Sequence, residues 1–257
     1  MKKLIFLFLV VFFFSPFAFG QDSAPVEGEY HAVLIGINEY SDSNVQDLVE
    51  PAVSAAMLGN LLSAKYTFKP ENVTLLLNAT KNNISKTFFE LRKKLKEKDN
   101  LLIFFAGHSG YNMSGEYGYW MPSDVEMEFE VNILLNSEIV NHLKNLKAKH
   151  ILLISDGVFA GNNLTTRSYS NNNIDSQSNY ISREAMTNGM LKSSLDKSVF
   201  FSYLFKRLKD NTKSTLTARS LFNSIEDAVI NNSNNIPQFG TIRMVGDEGG
   251  RFIFVKK

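Results

Sequence analysis

The sequence predicts an α/β fold with a mostly parallel central sheet and helices on both of its faces. Predicted strands alternate with predicted helices through most of the chain, which is the pattern of βαβ units. The predicted strands are continuous apolar runs, as expected for strands that are buried on both faces. The chain has 257 residues, 44% of them hydrophobic and 21% charged, which is ample for one α/β domain with a substantial core.

The first half of the chain supplies three strands and two helices. Apolar runs rich in β-formers predict strands over 30–38, 73–77 and 101–106. Apolar residues at helical spacing predict helices over 47–66, with Pro51 near the first turn, and over 81–98.

The second half supplies one more long strand, 150–155, and a short final strand, 251–255. Helices are predicted over 137–146, with Ser137 as the cap, and over 197–209 and 217–231. Turn-forming and polar residues predict a turn over 107–110 and loops or turn-rich connections over 111–130, 161–188 and 232–240.

The first twenty residues are typical of a secretory signal peptide. Lys2 and Lys3 precede an apolar run over 4–14, and Ala18 and Gly20 lie at the −3 and −1 positions of a cleavage site. An uncleaved membrane anchor is the alternative, but the run is short for a spanning helix. We therefore predict a signal peptide over 1–20, a linker over 21–29, a single domain over 30–257, and a periplasmic or secreted location.

Composition and motifs exclude several classes of function. The formal net charge is +1, and removal of the leader leaves 25 basic and 26 acidic residues, so no nucleic-acid partner is expected, and no membrane partner once the leader is cleaved. The absence of cysteine excludes disulfides, thiolate metal sites and a cysteine nucleophile. Phosphate-binding, dinucleotide and H-E-x-x-H motifs are absent, and His142 and His150 are scattered, so neither cofactor nor metal is predicted.

Two strand-to-turn segments are the candidate site. They are 100–110 (NLLIFFAGHSG) and 149–161 (KHILLISDGVFAG). Ligand sites of parallel sheets lie beyond the carboxyl ends of the strands, which is where His108 and the 156–159 turn are expected. On position alone, both a functional and a structural role remain open for His108.

Several segments resemble the caspase-like cysteine peptidases (peptidase C14, bacterial p20-like and metacaspase-like domains). The similar segments, in chain order, are 30–40, 104–108, 118–124, 182–189 and 237–254. The resemblance implies a caspase-hemoglobinase fold and descent from a Cys–His endopeptidase.

The resemblance also implies a role for each site residue. His108 matches the general base, and Val158 takes the position of the nucleophile in the pattern Asp-(Ser/Ala)-Cys. Asp156 matches an aspartate that binds the substrate's Arg or Lys in relatives that cleave after basic residues. The binding set is completed by Gly157 in the turn, by Ser54, which aligns with an acidic residue expected on the first helix, and by Ser109, which replaces a glycine.

Valine has no lone pair, proton or ionisable group, so it cannot attack a carbonyl carbon. We therefore predict an inactive pseudo-peptidase that binds a peptide or protein. Two alternatives remain open: a hydrolase with residual activity through Ser109 or Ser155, and a regulator of an active caspase-like paralogue. The aromatic residues Tyr117, Tyr119 and Trp120 are either anchors for a partner or part of the loop core.

Overall fold

The computed structural model describes residues 27–159, 164–165, 178–189 and 197–257. The predicted signal peptide and most of the predicted linker lie outside these residues. Within the described ranges, no helix combines the length and the apolar character that crossing a membrane requires.

A seven-stranded sheet forms the centre of the fold, which confirms the predicted fold class. Its first five strands run parallel, and the last two pair antiparallel. In spatial order the strands are β2 (Phe68–Leu77), β1 (Tyr30–Gly36), β3 (Asn100–Ala106), β7 (His150–Asp156), β9 (Ser182–Thr187), β11 (Gln238–Ile242) and β8 (Leu164–Thr165).

Two smaller sheets lie at the ends of the central one. The first contains β4 (Ser109–Asn112), β5 (Tyr117–Trp120) and β6 (Leu134–Leu135), and the second contains β10 (Thr215–Thr217) and β12 (Ile253–Val255). Because only two residues separate the end of β3 from the start of β4, the first small sheet lies at the carboxyl edge of the central sheet.

Helices cover both faces of the central sheet, because alternate residues of its buried strands point to opposite sides. One apolar layer packs against α1 (Pro51–Lys65), α4 (Val199–Asp210), α5 (Ala218–Asn223) and α6 (Glu226–Asn232). The other packs against α2 (Lys81–Lys94) and α3 (Asn136–Lys144). The predicted cap Ser137 is wrong, since α3 begins one residue earlier, after Leu135, without a side-chain cap.

The prediction of one long loop over 161–188 is wrong, since β8 and β9 belong to the central sheet. All six residues of β9 are buried, including Arg183 and Glu184. Arg183 Nη1 donates to the carbonyl of Lys149 at 2.9 Å, and Glu184 Oε2 accepts from Phe252 N at 2.8 Å. These partners are distant in sequence, so local hydrophobic periodicity does not reveal the strand.

Three further regions differ from prediction. The connection over 232–240 contributes to strand β11, and the loop over 111–130 contains most of the β4–β5 hairpin. The single helix predicted over 217–231 is divided into α5 and α6, with Ser224 as the C-cap of the first.

The register of β3 and β7 determines where the site forms. Ala106 at the end of β3 pairs with Asp156 at the end of β7. The turns that carry His108 and Val158 therefore leave the sheet side by side at the same edge.

Candidate active site

Hydrogen bonds hold both the backbone and the ring of His108, and its carbonyl accepts from Met121 N at 2.9 Å. Its N–H donates to the Tyr40 hydroxyl at 2.8 Å, and its Nε2 lies 2.8 Å from the carbonyl oxygen of Gln46. A carbonyl only accepts, so Nε2 carries the proton of this bond. In the neutral ring Nδ1 is then the nitrogen that can accept a proton.

Tyr40 supports the histidine from the loop between β1 and α1. Its ring centroid lies 5.1 Å from that of His108, and its hydroxyl donates to the carbonyl of Ile37 at 3.3 Å. Burial raises the pKa of Tyr40 above its ordinary value, so the hydroxyl remains protonated and neutral at physiological pH.

The second turn contacts the first through Ser109. Val158 N donates to Ser109 Oγ at 2.7 Å, and both residues are buried, with 1% and 4% of their surfaces exposed. A Cβ atom added to Gly157 would lie only 2.5 Å from the same Oγ. Glycine therefore allows the two turns to approach closely enough for this hydrogen bond.

Asp156 lies in a polar network at the end of β7. Its Oδ1 accepts from Asn188 Nδ2 at 2.9 Å and from Ser198 Oγ at 2.7 Å. Asn188 in turn accepts from Asn235 Nδ2 at 2.7 Å, and Ser198 caps α4 by accepting from Phe201 N at 2.9 Å. Burial raises the pKa of Asp156 to about 6, although the hydrogen bonds from Ser198 and Asn188 act in the opposite direction.

The structure brings four of the six predicted site residues together, and Asp156 directly precedes the second of their turns. His108, Ser109, Gly157 and Val158 lie in the two adjoining turns. Ser54 is buried on α1, and among the described residues the hydrogen bonds of Asp156 come from Asn188 and Ser198 rather than from Ser54.

The two alternative nucleophiles are poorly placed for attack. Ser155 is fully buried in β7, and its Oγ has no hydrogen-bond partner within the described residues. Ser109 Oγ is engaged with Val158 N, and the Nε2 of His108 is directed to Gln46. In this arrangement no hydrogen bond joins either hydroxyl to the histidine, as activation of a serine requires.

The three aromatic residues of β5 divide into two groups. Trp120 is fully buried and stacks on Phe105 with ring centroids 4.1 Å apart, so it belongs to the loop core. Tyr119 is also buried, whereas Tyr117 is partly exposed and donates to Glu130 Oε2.

His142 and His150 both contact structural partners. His150 Nδ1 lies 3.1 Å from Ser182 Oγ and its Nε2 lies 3.1 Å from the carbonyl of Ser178, and burial lowers its pKa to about 4. His142 stacks on Phe88 with ring centroids 4.8 Å apart. In the part of the chain that the structure describes, no group of three His, Asp or Glu is arranged to hold a metal ion.

Sequence reasoning missed the residues that orient the site. Tyr40 lies within a segment that carries the family resemblance, but its contact with His108 spans 68 residues. The Gln46 contact uses a backbone carbonyl, which any residue type would provide. Ser198 had a detectable signal, because a serine just before an apolar helical pattern is a typical N-cap.

A family model of the caspase domain matches residues 29–244, a range that contains both turns and most of the sheet. The chain belongs to the caspase domain family. Its fold is also similar to the crystal structure of protein GSU0716 from Geobacter sulfurreducens, with a TM-score of 0.58 and 16% identity over 86% of this chain and 97% of that one. No curated protein matches the chain.

The resemblance to the caspase-like peptidases aligns Val158 with the nucleophile through the Asp-(Ser/Ala)-Cys pattern, and it aligns His108 with the base through the segment 104–108. The structure directs Nε2 of His108 to the carbonyl of Gln46, and it directs the N–H of Val158 to Ser109. The assignment of roles to these residues remains a prediction from the resemblance.

Gly157→Ala tests the contact between the two turns. We expect the free energy of unfolding to fall by about 1–3 kcal/mol, because a methyl group would clash with Ser109 Oγ in a packed site. Chemical denaturation monitored by circular dichroism measures the change. When Ser109→Ala is added, the combined loss should be smaller than the sum of the two single losses. Additive losses would contradict a direct contact.

Proposed function

We propose that this caspase-domain protein is a pseudo-peptidase that binds peptides or protein segments with basic side chains and does not hydrolyse them. The observation that carries the proposal is the hydrocarbon side chain of Val158, which takes the nucleophile position in a chain without cysteine. Loss of a nucleophile typically lowers the rate of acyl transfer by several orders of magnitude.

The charge around His108 supports a basic ligand. Segments 37–50 and 107–135 together contain nine Asp or Glu and no Lys or Arg. The two segments are joined by hydrogen bonds from Ser41 N to the carbonyl of Ser123, at 2.8 Å, and from Met127 N to Asp42 Oδ2, at 2.7 Å. A surface with carboxylates of one sign attracts cationic partners and repels anionic ones.

Most of these carboxylates are exposed, although Asp47 accepts from Tyr40 N and Glu130 accepts from Asn112 and Tyr117. Within the described residues no ion pair joins the exposed ones to Lys or Arg. The exposed carboxylates are Glu39, Asp47, Glu50, Glu116, Glu126, Glu128 and Glu130.

Asp156 supports the same ligand class. The residue as a whole keeps part of its surface exposed although burial raises the pKa of its carboxyl, and among the described residues only Oδ1 takes part in hydrogen bonds. A guanidinium or ammonium group of a ligand would find an acceptor there at the carboxyl edge of the sheet.

Binding of an Arg-containing peptide should therefore depend on pH. Because the pKa of Asp156 is raised to about 6, the ionised carboxylate that pairs with a cation becomes abundant only as the pH passes 6. We expect affinity to increase from pH 5 to pH 7.5, by as much as about tenfold per pH unit below the pKa. Asp156→Asn should remove this dependence and weaken binding at pH 7.5 by about tenfold.

Calorimetry or fluorescence anisotropy with a peptide containing one Arg measures this affinity, and the same peptide with Gln at that position shows the contribution of the charge. Glu90→Gln, which removes one exposed carboxylate from α2, is the charge-matched control. Equal affinity of the Arg and Gln peptides would contradict the basic ligand.

Catalysis is tested separately, with fluorogenic peptides that place Arg, Lys or Asp before the scissile bond. We expect no hydrolysis by the unmodified chain. Hydrolysis that His108→Ala abolishes would show an active peptidase and would overturn the proposal.

Export is part of the proposal and is supported by the signal-peptide pattern over 1–20. Sequencing the N-terminus of the protein from its native source is the test. A mature chain beginning at Gln21 is expected, and one that retains the leader would contradict cleavage.

A further inference from the structure

The hydrogen bond between the two turns occupies a donor that acyl transfer needs. Val158 N donates to Ser109 Oγ at 2.7 Å in a buried environment. In acyl-transfer enzymes, backbone N–H groups beside the nucleophile stabilise the negative oxygen that forms in the transition state. The N–H of Val158 has a single proton, and that proton is already directed to a hydroxyl oxygen.

We propose that Ser109 is a positioning residue that closes the site by holding this N–H. The chain then has two separate blocks to peptide hydrolysis: the hydrocarbon at Val158, and the hydroxyl of Ser109 in the place of the substrate oxygen. The inference rests on the proposed function, because it explains how a caspase-domain site is kept inactive beyond the missing nucleophile.

The surrounding structure makes this arrangement stable. Gly157 has no side chain, so the turn approaches Ser109 closely, whereas a Cβ atom there would collide with Oγ. Ser109 pairs with Trp120 across the β4–β5 hairpin, and the Trp120 ring lies 6.3 Å from that of Phe159 in the second turn. A substrate carbonyl would have to displace a hydroxyl that is held on both sides by packed elements.

The consequence is that a nucleophile alone does not restore activity. After Val158→Cys, the introduced thiolate would attack the carbonyl carbon and the carbonyl electron pair would move onto oxygen. The amine would leave with a proton from His108, and water would hydrolyse the thioester. While Ser109 is present, its hydroxyl still occupies the backbone N–H at position 158, so that N–H cannot stabilise the oxygen anion that forms in this step. Loss of one such donor lowers kcat by about 10²–10³-fold.

The test compares the unmodified chain with Val158→Cys, Ser109→Gly and the double variant. Hydrolysis of the Arg fluorogenic peptide gives kcat and KM, and alkylation by iodoacetamide shows whether the introduced thiol is accessible. We expect only the double variant to cleave, with kcat at least about 100-fold above that of Val158→Cys and a similar KM. A double variant with Ser109→Ala in place of Ser109→Gly controls for the backbone freedom of glycine.

Equal kcat for Val158→Cys and the double variant would overturn the inference. If neither variant cleaves, amide hydrogen exchange at Val158 tests the hydrogen bond to Ser109 directly. The N–H of Val158 should be protected in the unmodified chain and should exchange at least about tenfold faster in Ser109→Ala. Equal exchange in the two proteins would also overturn it. Hydrolysis by the unmodified chain would contradict the proposed function, and the exchange measurement would still test the Ser109 contact independently.

Discussion

Trp120→Ala is expected to lower the free energy of unfolding by about 3–5 kcal/mol, the range measured for truncation of large buried aromatic residues. Trp120 is fully buried and stacks on Phe105 with an interplanar angle of 2°. The substitution would leave a cavity between the central sheet and the β4–β5 hairpin. Because Ser109 is the cross-strand partner of Trp120, we also expect the hydrogen bond between the two turns to weaken.

Chemical denaturation monitored by circular dichroism is the suitable measurement, because Trp120 is the single tryptophan of the chain and its removal eliminates tryptophan fluorescence. Phe129→Ala is the matched control, since Phe129 is an aromatic residue near the same hairpin with 71% of its surface exposed, and its loss should cost less than about 0.5 kcal/mol. A loss below 1 kcal/mol for Trp120→Ala would contradict the packing role assigned to this side chain.

The effect of Asp156→Asn on the free energy of unfolding, relative to the unmodified chain, is expected to become more favourable as the pH rises from acidic to neutral. Burial raises the pKa of Asp156 from 3.8 to about 6, so between these values the folded chain binds more protons than the unfolded chain. The stability that the protonated carboxyl contributes is fully present below pH 3.8 and is lost as the pH rises through 6. Asparagine is neutral throughout, and its Oδ1 can still accept from Asn188 and Ser198.

The difference in unfolding free energy between Asp156→Asn and the unmodified chain should therefore shift by about 2–3 kcal/mol in favour of the variant between pH 3.5 and pH 7.5. Urea denaturation at a series of pH values measures it. Glu90→Gln again serves as the control, since it reports the effect of removing one exposed charge. A difference that stays constant across this range would show that burial does not perturb Asp156.

A carboxylate that costs stability when it ionises supports the proposed role of Asp156 in ligand binding. Asparagine would supply the same acceptor to Asn188 and Ser198 without the cost of burying a charge. Stability lost at a site in exchange for function is a recurring trade-off in proteins. The two Asp156→Asn measurements therefore test one hypothesis, since the variant should gain stability at neutral pH and lose affinity for the peptide.

The strands that the sequence predicted well are those whose signal is local. β1, β3 and β7 are uninterrupted apolar runs buried on both faces, so their composition alone indicates a strand of a parallel sheet. β9 escaped prediction because its polar side chains are satisfied by distant partners, such as Phe252 N for Glu184. The number of sheet strands was therefore underestimated although the fold class was predicted correctly.

For the site, the sequence by itself determined which chemistry is possible. It contains no cysteine, places valine in the expected nucleophile turn and places His108 after a buried strand, and these facts depend only on residue types and their order. Only the tertiary structure decided what each group is bonded to. The carbonyl of Gln46 is 62 residues from His108, and the hydroxyl of Ser109 is 49 residues from Val158 N. Such partners are decided by how separate turns meet at the edge of a sheet, and no local pattern of residues encodes that meeting.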